Sequence, residues 1–242
     1  MSDPVLAKPP GDCCLNCFPH DGTPTGKFIT IADVKTYIAR PPNPAQENRV
    51  ILYFPDVWGI DSFTNGQLLC DYYASQGTQV PRSCDRLFPR GTSDPVHLHR
   101  KDRNDTTTEP GFDYELWKKK HQAFAATAVP KWIDALKAQF GTPETKYAAV
   151  GYCFGAPYVM DALAESSSTA CVGAFGHPAF LNESHFINCA RPLFLSCAET
   201  DHTFPASSRH RAEELLTASK RTFHIQLFSG VEHGFCAARE HG

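Results

Sequence analysis

The chain has 242 residues and little excess charge of either sign: 23 Lys and Arg stand against 26 Asp and Glu, a formal net charge of −3. Without a basic field, nucleic acid and anionic membrane are not expected as partners. Long apolar runs are missing too. None approaches the roughly 18 residues of a membrane span. The opening MSDPVLAKPPGDCC carries no apolar core of the kind a secretory signal has, so a cytoplasmic location is expected. There is no internal repeat, low-complexity tract or linker, which favours one domain over residues 1–242 behind an irregular lead-in at 1–26.

What is present is ordinary globular material: 42% hydrophobic and 20% charged residues, long enough for one α/β domain with a substantial core. The ten cysteines are irregularly spaced in a large chain, so most are read as reduced and structural rather than as a disulfide framework. Cys13, Cys14, Cys17 and His20 form C-C-x-x-C-x-x-H. A structural zinc site wants four ligands on two separated knuckles, and adjacent cysteines share a tetrahedral site poorly, so no metal is expected.

Hydrophobic periodicity lays out the fold. FITIADVKTYIARP alternates apolar and polar residues around Ala-Asp, which predicts an edge β-hairpin. RVILYFPDVWG is a continuous apolar run stopped by Pro55 and Gly59, as for a strand buried on both faces. TNGQLLCDYYASQG has helical spacing and a C-capping Gly77. The stretch from Gly111 to Gly141 predicts a helix interrupted or kinked at Pro130. Then strands KYAAVGY, CVGAFGH, RPLFLSCAETD and FHIQLFSG alternate with helices after Cys153 and over SSRHRAEELLTASK. That alternation predicts an α/β fold, a mostly parallel central sheet with helices on both faces. The segment TQVPRSCDRLFPRGTSDP breaks the pattern, since its prolines and arginines make a poor central strand.

The chemistry concentrates at AAVGYCFGAPYVM. Gly151-Tyr152-Cys153-Phe154-Gly155 has the form G-x-S-x-G with cysteine for serine, a sharp strand-to-helix bend with glycines allowing close backbone approach. The bend places a thiol over a helix N-terminus, which favours an anion. In parallel sheets ligand chemistry belongs at the carboxyl ends of the strands. There, Asp201 follows one later strand and His233 follows the last. The order Cys153, Asp201, His233 is nucleophile, acid, base, as in α/β hydrolases. His177 and His202 also follow strand ends, where a hydrogen-bonded structural histidine is the commoner outcome.

GYCFGA, AETD and VEHGF, with FPDVWGID upstream, resemble the dienelactone hydrolase family of cysteine-dependent α/β hydrolases, above all its fungal branch. The lead-in GDCCLNCFPHDGTPTGKF is similar as well, and the resemblance covers nearly the whole chain. It implies a Cys-His-Asp triad acting on a small-molecule ester or lactone, with carboxymethylenebutenolidase as the named activity and no cofactor. A monomer is expected. Cys153 would attack the carbonyl, His233 would carry the proton, and Asp201 would orient the imidazole. The backbone N–H groups of Phe154 and Val57 would form the oxyanion hole. Asp56 stands where family members carry an acidic residue, often Glu, that interacts with the resting thiol. Arg86 or Arg90 falls where the family places an arginine for a substrate carboxylate. Two departures stand out: the segment after Gly77 is altered, and the chain stops nine residues beyond His233, where relatives continue through a final helix. Two alternatives stay open, a hydrolase-fold pseudoenzyme with an unformed pocket and a cysteine-rich redox or metal-binding protein.

Overall fold

The computed structural model describes residues 2–9, 20–43, 48–61, 64–77, 80–83, 114–167 and 169–236. In chain order the first elements are β1 (Val5–Ala7), β2 (Lys27–Ile31), β3 (Val34–Ala39), β4 (Arg49–Phe54), α1 (Asn65–Ser75), β5 (Val80–Ser83) and α2 (Tyr114–Phe140). They are followed by β6 (Lys146–Tyr152), α3 (Ala156–Leu163), β7 (Val172–Gly176), β8 (Leu181–Asn182), α4 (Glu183–Asn188), β9 (Leu193–Thr200), α5 (Ala206–Ala218) and β10 (Phe223–Glu232). The chain divides into two compact units, one of residues 1–18, 52–57 and 146–242, the other of 19–51 and 58–145.

The first unit contains the parallel sheet, in the order β10-β9-β7-β6 followed by the Leu52–Phe54 end of β4. Strands β6, β7 and β9 carry buried residues, as expected of covered strands, whereas no residue of β10 is buried. Leu193, Leu195, Phe175 and Ala149 are buried on β9, β7 and β6. Helix α3 packs on β6 and β7. Gly173 makes this approach possible, because a Cβ there would lie 2.6 Å from Leu163 Cδ1 and 2.9 Å from Val159 Cγ1. Phe186 of α4 stacks on Phe204 with centroids 6.2 Å apart and meets Phe175 edge-on, all three buried in the core. Strand β1, within the lead-in read as irregular, pairs antiparallel with β8, Val5 opposite Asn182. Neither partner was legible in the sequence, since strands of three and two residues carry no periodicity.

The second unit contains the predicted hairpin. β2 and β3 pair antiparallel, with Ile31 opposite Val34. Ala32 and Asp33 adopt φ of 47° and 62°, the positive pair of a two-residue hairpin turn whose twist matches its strands. Helix α1 ends as predicted: Gly77 takes φ 85° and donates its N–H to the Ala74 carbonyl at 3.0 Å. The segment after Gly77 is corrected by the structure, because β5 forms there and pairs antiparallel with β3, Pro81 opposite Ile38. Alternate residues direct their N–H groups to the same neighbour, so a short strand can pair while its proline donates nothing. Of the interruption or kink expected at Pro130, the interruption is corrected: α2 runs from Tyr114 through it to Phe140 as one element. Inside this unit Trp132 is fully buried and its indole N–H donates to Thr36 Oγ1 at 3.0 Å. A buried tryptophan of this kind typically contributes about 3–5 kcal/mol against alanine.

Candidate active site

Every residue of the expected site that the structure describes lies in the first unit, at the carboxyl ends of its parallel strands. Strand β6 arrives extended, with Tyr152 at φ −131° and ψ 141°. Cys153 then turns into the left-handed region at φ 47°, a costly conformation for a residue with a Cβ. The surrounding glycines show what holds it there. A Cβ on Gly155 would stand 2.1 Å from the Phe54 carbonyl oxygen, and one on Gly151 would stand 2.7 Å from the Gly155 oxygen. The turn is therefore wedged between the end of β4 and its own helix, and only glycine fits on either side. A short 3₁₀ segment, Cys153–Gly155, leads into α3, which carries a proline in its first turn. Cys153 is 1% exposed, and its carbonyl accepts the Ala179 N–H at 3.0 Å. Phe154 is buried, its ring against Phe180 and Tyr158. Asp56 and Val57 follow directly on β4, next to the strand that carries Cys153. Asp56 is half-buried and Val57 buried.

Asp201 follows β9 and His233 follows β10, adjacent parallel strands, so their loops meet. Asp201 Oδ1 lies 2.9 Å from His233 Nδ1, and both side chains are 2% exposed. The same oxygen accepts N–H donors from Thr203 at 2.9 Å and Phe204 at 3.0 Å. Burial pushes the Asp201 carboxyl up, but the hydrogen bond and charge of His233, with the Phe204 N–H, outweigh it and hold the group down at about 2. A buried carboxylate kept ionised beside an imidazole can fix the ring's tautomer and stabilise its cation.

Three residues near this pair were not assigned a role from the sequence. Thr203 Oγ1 sits 2.9 Å from His233 Nδ1, 2.8 Å from Asp201 Oδ1 and 2.7 Å from the Pro178 carbonyl oxygen. His177, buried, meets the His233 ring edge-on at 5.0 Å and stacks on Tyr152 at 5.7 Å. His202, exposed, meets His233 edge-on from elsewhere, also at 5.0 Å. His177 and Phe180 have φ of 35° and 59°, so backbone strain gathers in the loop that touches the Cys153 turn. Spacing relative to the strand ends singles out both histidines; nothing in the sequence marks Thr203.

Asp201, His202 and His233 offer metal-ligand atoms that all lie within 4.8 Å of one another. The Asp201 and His233 atoms facing each other are already engaged, so a cation there would compete with the pair. Cys13, Cys14, Cys17, Arg86 and Arg90 lie outside the described residues. His20 is described, and its backbone N–H donates to Asn65 Oδ1 at 2.6 Å.

A parallel sheet with a cysteine on a strained strand-to-helix turn, and a buried Asp–His pair behind later strands, defines an α/β hydrolase. The dienelactone hydrolase family model matches residues 34–242, and the chain belongs to that family. Dienlactone hydrolase 1 of Gibberella moniliformis is 34% identical over 241 residues, covering 98% of this chain and 87% of its own. Hydrolase tropI of Talaromyces stipitatus is 31% identical, covering 96% and 87%. Among solved structures, a candidate dienelactone hydrolase from Klebsiella pneumoniae superposes with a TM-score of 0.66 over 87% of this chain and 88% of its own, at 14% identity. Esterase 2 of Thermogutta terrifontis gives 0.58 over 88% and 86%, at 16% identity. These two show the fold. Among the described residues no helix is long and apolar enough to cross a membrane.

Proposed function

We propose that the protein hydrolyses small carboxylic esters or lactones, in the manner of a carboxymethylenebutenolidase, through a thioester on Cys153. The observation that carries this reading is the buried Asp201–His233 contact of 2.9 Å, set at the same end of the sheet as a cysteine with φ 47°. His233 Nε2 takes the proton from Cys153 Sγ as the sulfur bonds to the substrate carbonyl carbon. The resulting oxyanion accepts hydrogen bonds from the backbone N–H groups of Phe154 and Val57. The tetrahedral intermediate collapses, the C–O bond to the leaving oxygen breaks, and His233 returns the proton to that oxygen. Water then attacks the thioester, giving its proton to His233, and collapse releases the carboxylic acid with the thiol regenerated. Asp201 keeps Nδ1 protonated throughout. Asp56 interacts with the resting thiol, the role its family position suggests. The protein acts as a cytoplasmic monomer, with no cofactor.

The test is turnover of an enol lactone and an activated aryl ester by the purified protein. Cys153→Ala abolishes both, and Cys153→Ser leaves little, because a site built for a polarizable thiolate activates a harder hydroxyl poorly. Intact-mass measurement during ester turnover should show an acyl adduct on the peptide holding Cys153. Wild-type turnover in Cys153→Ala removes the mechanism.

A further inference from the structure

Thr203 presents one hydroxyl proton to three neighbours. Its Oγ1 is 2.7 Å from the Pro178 carbonyl oxygen, 2.8 Å from Asp201 Oδ1 and 2.9 Å from His233 Nδ1. Two of these are acceptors that want a proton, and a hydroxyl has only one to give. The surroundings decide where it goes. Asp201 Oδ1 already faces the Thr203 N–H, the Phe204 N–H and His233 Nδ1, which fills the acceptor capacity of one carboxylate oxygen. The Pro178 contact is the shortest of the three, and the site is fully buried, where an unsatisfied carbonyl is costly. The hydroxyl therefore donates to Pro178, and its lone pairs face the imidazole.

We propose that Thr203 is a positioning residue that, together with Asp201, forces His233 into the Nδ1-protonated tautomer and ties the acid–base pair to the nucleophile turn. An unprotonated Nδ1 would be repelled by Asp201 Oδ1, and Thr203 Oγ1 could relieve it only by turning its proton away from Pro178. A protonated Nδ1 shares its hydrogen between Asp201 Oδ1 and Thr203 Oγ1, which leaves the Nε2 lone pair to act as base. The tie runs through two consecutive residues. Pro178 accepts from Thr203, and Ala179 donates to the Cys153 carbonyl at 3.0 Å. One loop thereby registers both halves of the site.

This inference rests on the Cys153 mechanism for its kinetic consequence and not for its spectroscopic one. The experiment compares Thr203→Val, which keeps the shape and loses the hydroxyl, with Thr203→Ser, which keeps the hydroxyl. ¹⁵N-histidine NMR of the resting protein reads the His233 tautomer and titration, measured also in the Cys153→Ala background where no thiol interferes. The valine variant should show a larger Nε2-protonated fraction and a His233 titration moved to lower pH, because the imidazolium has lost an acceptor. Its kcat/KM for the lactone should fall about ten- to a hundredfold through kcat with KM held, the size of a charge-assisted hydrogen bond. Serine should restore tautomer, titration and rate. An unchanged tautomer and titration in Thr203→Val overturns the proposal, as does a serine variant as impaired as valine. Turnover that survives in Cys153→Ala sinks the hydrolytic mechanism instead, and the NMR comparison still decides the role of Thr203.

Discussion

At the Cys153 turn the main chain does the positioning. Cys153 is bent to φ 47° between two glycines whose hydrogens are the largest groups that fit against the Phe54 and Gly155 carbonyls. At the Asp201–His233 corner the backbone contributes two N–H donors and the Pro178 carbonyl, and the rest is side chain meeting side chain: Asp201, His233 and Thr203 within 3 Å of one another. The first arrangement is stiff and local, so its failure should be a failure of folding. The second is a hydrogen-bond network, and removing a member should cost chemistry more than stability. Under the proposed mechanism the division has a use, because a nucleophile must hold one place while a proton carrier must change partners during the reaction.

Asp201→Asn should break the comparison hardest on its chemical side. An amide in place of the carboxylate can donate to Nδ1 and favour the wrong tautomer, so kcat/KM should fall about a thousand- to ten-thousandfold. Circular dichroism should show an intact fold; a near-native rate would mean that the buried pair is only structural. Gly155→Ala should break it on the folding side. The new Cβ meets backbone at 2.1 Å, which cannot rotate away, and the expected loss is about 3 kcal/mol or more in urea denaturation. Gly230→Ala is the control, since φ is 74° there but nothing lies within 4 Å, and only about 1–2 kcal/mol of strain applies. Equal losses at the two glycines would contradict a wedged turn.

Acid should sharpen the contrast next. Folding holds the Asp201 carboxyl at about 2, below its ordinary 3.8, so its stabilisation is complete above pH ~4 and is lost as pH falls toward 2. The amount is about 2 kcal/mol, and Asp201→Asn should flatten this part of the stability–pH curve. A mutant curve parallel to wild type in that window would assign the acid sensitivity elsewhere. The smallest effect is one of labelling order. Burial pushes the thiols of Cys197 and Cys236 up to about 12, so iodoacetamide at mildly acidic or neutral pH should leave both untouched. Cys171 is exposed and Cys153 is not, so labelling by exposure alone favours Cys171. Peptide mapping that finds Cys153 modified first shows activation by the turn. Cys171 first, with Cys153 silent, would count against it.

The sequence by itself determined whatever depends on neighbours along the chain. Alternation around Ala32-Asp33 marks the hairpin, and the glycines flanking Cys153 mark the bend, since turn conformations and strand periods are read over a few residues. The order Cys153, Asp201, His233 was also legible, because a parallel strand delivers its following residue to one known edge of the sheet. What only the tertiary structure decided depends on residues far apart in sequence. Proline rules applied locally discouraged a strand at Val80–Ser83 and an unbroken helix through Pro130, yet pairing with β3 and helical context accommodated both. The pairing of Val5 with Asn182 has no local signal at either end. Thr203 meets His233 across thirty residues and Pro178 across twenty-five, and no spacing rule links a threonine to either. A side chain's partners are set by which loops the strand order brings together, and that order is a property of the packed sheet, not of any short stretch of chain.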